Sequence, residues 1–127
     1  MRCGSMRSLW PIEKAAIEAA TIDHPDHADG IRQQAEGALV SSFENTGAGF
    51  FSELVVSGEA PVLEVRSPLD CAHGTVGGVD NAMGFLAFFK DGRLSTIEGY
   101  CLALDSTEAI NFETVDFKLR PYSAGYV

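Results

Sequence analysis

The sequence predicts an α+β domain: N-terminal helices packed on a five- or six-stranded, mainly antiparallel sheet built from consecutive hairpins. Three observations predict it. Apolar residues recur at helical spacing through the N-terminal third, as in Ile12, Ala15, Ala16, Ala19 and Ala20. After Gly37 the hydrophobic period falls to two. Asp91-Gly92 then separates two β-rich runs, a strong short-range hairpin signal. Helices first and hairpins after them is the order of an α+β domain.

The first helix is expected to be capped by Ser8 and to carry Pro11 in its first turn, where a missing N–H costs nothing. Asp23-His24-Pro25-Asp26 interrupts it, because Pro25 starts a helix more readily than it continues one. A second helix runs through Ile31 and Ala35, with Gly37 as a left-handed stop. Leu39 to Phe43 reads as a strand. The competing reading carries the helix on to Phe43, since 31, 35, 38, 39, 42 and 43 also form a helical stripe. Thr46-Gly47-Ala48-Gly49 makes a glycine-rich turn into a strand over Phe50 to Ser57, and a short strand is expected over Val62 to Arg66. Ser67 to Met83, rich in glycine and poor in β-formers, reads mainly as loop with one short helix or strand. A final strand falls within Phe112 to Leu119, ended by Pro121.

A two-residue turn at Asp91-Gly92 sets a register in which Phe89 faces Leu94, Ala87 faces Thr96, Phe85 faces Glu98, and Leu86 faces Ile97 on the other side. Both faces of this hairpin are partly apolar, so it is expected to be central or covered on both sides.

With 127 residues the chain is one domain, 1–127, long enough to bury a real core. Met6 is an alternative start, and residues 1–7 are expected to stand outside the fold. No apolar run reaches the roughly 18 residues of a membrane span, and no apolar h-region follows the N-terminus. Three cysteines without framework spacing (Cys3, Cys71, Cys101) fit reduced thiols in a cytoplasmic protein. A formal charge of −9 argues against nucleic acid and would steer a basic partner.

Asn45-Thr46-Gly47-Ala48-Gly49-Phe50-Phe51, then Met83 to Leu94 with its Gly-Phe-x-x-Phe and Asp-Gly turn, then Ile97-Glu98-Gly99-Tyr100, resemble a pattern in small uncharacterised bacterial proteins. The resemblance covers residues 38 to 104. This chain has Ile97 where the pattern has Leu. The resemblance implies a bacterial protein and supports the hairpins, and it implies no activity.

Among candidate sites, Glu98 is the most informative. The expected register sets it among Phe85, Phe89, Leu94 and Leu102, where an acid is either paired or raised in pKa. It reads as a general acid/base or a ligand-orienting group with Tyr100 on the same face; the structural alternative is a carboxylate satisfied by Arg66, Arg120 or loop amides. Cys71 and His73 would share a face of an extended strand and suggest nucleophilic chemistry; the plain alternative is a small buried thiol and a loop imidazole. His24 and His27, with Asp26 and Asp29, are weak metal candidates against the reading of a solvated helix start. The Thr46 to Gly49 turn fails as a phosphate loop, because no Lys follows it and a strand does. Gly74, Gly77 and Gly78 beside Asp80 and Asn81 make either a loop over a pocket or an ordinary connection.

No cofactor is expected. Three functions stand open. The first is a non-enzymatic domain binding a small apolar or amphipathic ligand with Glu98, Tyr100 and Phe85. The second is an acidic interaction domain, of the immunity or inhibitor kind, for a basic protein. The third is a small hydrolase or isomerase using Glu98, or Cys71 with His73. Homodimerisation is expected too, since two short helices cannot cover both apolar faces of the hairpin.

Overall fold

The computed structural model of the protein describes residues 5–124. In chain order the strands and helices are β1 (Arg7–Ser8), α1 (Pro11–Asp23), α2 (Ala28–Glu36), β2 (Leu39–Asn45), β3 (Gly49–Val55), β4 (Leu69–Val76), β5 (Met83–Lys90), β6 (Arg93–Cys101) and β7 (Phe117–Pro121), with short 3₁₀ turns at Pro25–His27 and Tyr122–Ala124. The strands form one sheet of seven, in the order β1-β2-β3-β6-β5-β4-β7, and every pairing is antiparallel.

The α+β class holds, with helices packed on one antiparallel sheet, but the strands number seven rather than five or six, β1 precedes the helices, and the β3–β6 and β4–β7 pairings join strands that are not consecutive. The additional length comes from β1 and β4. Residues 1–4 lie outside the described residues, but Arg7, expected outside the fold, pairs with Val40. Its guanidinium binds both carboxylate oxygens of Glu13 at 2.9 and 3.0 Å, and lies 3.4 Å over the Trp10 ring. The same Glu13 accepts the Trp10 N–H at 2.6 Å and the Ser52 hydroxyl. A carboxylate with no exposed surface is thus fully bonded, as burial demands. Trp10, not Ser8, is therefore the N-cap of α1, and Glu13 closes the first turn onto it.

Gly37 ends α2 at φ −107°, so the left-handed cap expected there does not form. Leu39 to Asn45 is strand, and the helical alternative falls. Val62 to Arg66 has no strand partner; Leu63 N–H meets only the Gly92 carbonyl, at 2.9 Å. Leu69 to Val76, within the stretch read mainly as loop with one short helix or strand, is an eight-residue inner strand flanked by β5 and β7.

The core lies on one face of the sheet. Ile12, Ala16, Ile17 and Ala20 of α1 and Ile31 of α2 meet Val40, Phe50, Leu69, Phe85, Ala87, Leu94 and Ile97. Phe112, from the 102–116 connection, joins on the same side and packs 4.8 Å from the Phe50 ring. Gln34 of α2 is buried and fully bonded: its Nε2 donates to the Pro61 and Gly92 carbonyls at 2.7 and 2.8 Å, and its Oε1 accepts the Leu94 N–H at 2.8 Å. That amide fastens α2 to the β5–β6 turn, where Asp91 (φ 52°) and Gly92 (φ 80°) adopt the positive angles a tight hairpin needs.

Candidate functional site

Glu98 sits on the opposite face from the one its expected register gave. The pairing begins as expected with Phe89 facing Leu94, but a bulge follows, and Phe88 then faces Thr96 with Ser95 unopposed. One extra residue reverses every side chain beyond it. Ala87 therefore faces Ile97, Phe85 faces Gly99, and Glu98 faces Leu86. Phe85 belongs to the buried core, so the grouping of Phe85 with Glu98 and Tyr100 does not exist. Leu102 lies past the end of β6 and is exposed.

The outer face can be traced from the pairings. One row runs across five strands: Glu44 opposite Phe51, Phe51 opposite Glu98, Glu98 opposite Leu86, and Leu86 opposite Asp70. Every member is at least partly exposed. To one side of it lies the row Ser42, Glu53, Thr96 and Phe88. To the other lies Gly49, Tyr100, Gly84, His73 and Arg120. The tip of the Tyr100 ring covers Gly84: a Cβ there would come within 2.5 Å of its Cζ, so any larger residue would displace the ring. Phe51, Val55 and Leu39 remain 36%, 44% and 38% exposed. The cations of this face stand toward its margins: Lys118 and Arg120 on the edge strand β7, and Lys90 and Arg93 paired beside the β5–β6 turn. No described helix packs against it, since α1 and α2 belong to the core side.

Burial pushes the Glu98 carboxyl above the usual carboxylate range, and among the described residues no cation pairs with it. The expected rescue by Arg66 or Arg120 is absent from those ion pairs. Glu98 and Tyr100 do share a face two residues apart.

Cys71 and His73 are separated by a second bulge, between Asp70 and Ala72. Ala72 pairs with Phe85 on the core side and His73 with Gly84 on the outer side, while Cys71 lies in the core cluster. The shared face expected of an unbroken strand is lost. The Cys71 thiol donates to the Leu69 carbonyl at 3.6 Å and is pushed up to about 12 by burial, with Asp70 adding to the shift. A thiol held protonated is no nucleophile. Burial, then the Arg120 charge, holds His73 below the usual histidine range.

His24 ends α1 and His27 lies in the following 3₁₀ turn. Among the described residues no three His, Cys, Asp or Glu side chains come together as a metal site. His24 instead lines a cleft of about 490 Å³ with Asp23, Arg66, Asp70 and Tyr122. A second cleft of about 620 Å³ lies between α1 and α2, with Leu9, Ile17 and Ala35 inside and Lys14 and Arg32 at its rim. Neither cleft is lined by Glu98, Tyr100 or Phe85.

The Thr46 to Gly49 turn cannot cradle an anion. Its amides are already used: Gly47 N–H by Asn45 Oδ1, Ala48 N–H by Thr46 Oγ1, Gly49 N–H by Thr107 Oγ1, and Thr46 N–H by the Gly49 carbonyl. Thr107, fully buried, plugs the turn, and no local pattern in the sequence marks it. The glycines at 77 and 78 face Val115, Asp116 and Ile110 of the connection before β7, and Gly77 lines a cleft of about 310 Å³ with Asp116 and Lys118.

Comparison of the chain with protein-family models, with curated proteins and with solved structures returns no match.

Proposed function

We propose that the chain is a non-enzymatic binding domain that docks a basic protein partner on the outer face of its sheet. One observation carries this reading. Among the described residues the helices cover one face of the sheet, and the other face keeps Phe51, Val55 and Leu39 substantially exposed beside Glu44, Glu53, Glu98 and Asp70. Apolar side chains interspersed with acids, the cations of the face standing at its margins, favour a partner of positive charge.

A small molecule needs a concave pocket that buries most of its surface. Glu98 and Tyr100 stand instead on a broad face, which suits a macromolecular partner better than a small apolar ligand. A second copy of the chain fits less well too. A two-fold contact through this face would bring the acids of the central row near their own copies, and like charges in contact oppose association. Catalysis loses support from both sides: Glu98 lines none of the clefts described above, and Cys71 with His73 is no dyad.

The test is quantitative capture from the cells that make the protein, comparing the full chain with Phe51→Arg and with Ala15→Arg in the groove between the helices. The reading requires a basic partner that is lost with Phe51→Arg, kept with Ala15→Arg, and released as salt rises. A partner held equally by Phe51→Arg, or lost only with Ala15→Arg, would refute it.

A further inference from the structure

The central row of the outer face has a spacing that selects among basic partners. Acids and apolar residues alternate along it: Glu44, Phe51, Glu98, Leu86, Asp70. Neighbouring strands lie about 4.8 Å apart, so successive acids stand about 9.6 Å apart with an apolar residue midway. An α-helix rises about 10.5 Å in seven residues, and its i+3 and i+4 positions fall at the midpoint of that interval on the same side. An extended strand repeats on one face every 6.7 Å or so, which matches neither interval.

From this, and resting on the reading proposed above, we infer that the partner presents an amphipathic basic helix, with Lys or Arg at i, i+7 and i+14 and apolar residues at i+3, i+4, i+10 and i+11, laid along the row from Glu44 to Asp70. The basic side chains meet Glu44, Glu98 and Asp70. The apolar pairs rest on Phe51 and Leu86. Strand twist turns successive strands by about 20–25°, so the helix crosses them obliquely. Tyr100 on one flank and Phe88 on the other stand beside the helix as side walls.

The probe is a synthetic helical peptide with that pattern, its binding to the full chain followed by fluorescence anisotropy. Two controls have its composition: one with the pattern scrambled, and one alternating basic and apolar residues as a strand would. The patterned helix is expected to bind about tenfold or more tighter than either control, and to lose that advantage against Glu98→Lys. Equal binding of all three peptides, still sensitive to Glu98→Lys and Phe51→Arg, would overturn the helical partner and leave the basic-partner reading standing. Binding insensitive to both variants would overturn the inference and the reading together. Failure of every peptide would overturn the helical partner alone, since the capture experiment tests the reading separately.

Discussion

Replacing Gln34 with Met tests whether α2 is fastened to the hairpin that carries Glu98. The substitution keeps length and flexibility and removes three hydrogen bonds. The groups left behind differ in their prospects. The Gly92 carbonyl still accepts the Leu63 N–H at 2.9 Å, and Pro61 is exposed, so water can serve its carbonyl. The Leu94 N–H has no such recourse, because Leu94 is 3% exposed. A buried donor without a partner costs about 1–3 kcal/mol, and the lost bonds add roughly 1 kcal/mol more. The expected loss is therefore about 2–4 kcal/mol, or roughly 8–16 °C in Tm for a domain of this size. Urea unfolding followed through the single tryptophan, Trp10, measures it, with an unchanged m-value showing that the same cooperative unit unfolds. A loss below about 1 kcal/mol would mean that the Gln34 amide does not satisfy the Leu94 N–H, and the anchoring argument would fail.

Three further outcomes follow from the buried and half-buried groups. Because burial raises the Glu98 carboxyl in the folded state, the stability it contributes is present below about pH 4, the unfolded value, and is lost as pH rises through the folded value. Glu98→Gln should therefore melt higher than the parent at pH 7, with the gap closing in acid; equal melting at pH 7 would contradict this. His73 has the opposite sign: burial and Arg120 depress it, so its contribution is present above about pH 6.5 and lost as pH falls through the folded value. Melting of His73→Gln should fall less steeply than that of the parent below pH 6.5, and parallel curves would refute that. Iodoacetamide at pH 8 with peptide mapping should leave Cys71 unmodified in the native protein and label it in urea; native labelling at the denatured rate would show that the thiol is not buried as described.

Much of the fold was legible because local chemistry dictates it. Pro11 and the alanine stripe specify α1, and Asp91-Gly92 specifies the β5–β6 turn. What stayed hidden depends on partners distant in sequence. Nothing in Leu-Asp-Cys-Ala-His-Gly-Thr-Val advertises a strand; β4 exists because β5 and β7 satisfy its two edges, with Gly74 admitting the β7 backbone closely. Val62 to Arg66 has stronger β-formers and no partner. Two-residue edge strands such as β1 have no periodicity to read; this one is held by Arg7 on Glu13.

The candidate site shows the same division. Glu98 and Tyr100 share a face whatever the register, since period-two alternation alone places them together. Which face they share turned on one unpaired residue, Ser95, and no turn rule announces a bulge in the middle of a hairpin. The bulge at Cys71 likewise dissolved the Cys71–His73 pairing. In both cases the spacing along the strand was legible in the sequence, and the face each residue occupies was not.

Photo-cross-linking in the cells that make the protein tests the central claim most directly. A photoreactive phenylalanine analogue replaces Phe51 on the outer sheet face in one strain and Ala15 in the groove between the helices in another. Specific adducts from position 51 alone, to a basic protein and abolished by Glu98→Lys, are the predicted result. Adducts from position 15 alone, or an acidic partner at position 51, would contradict a sheet face built to dock a basic partner.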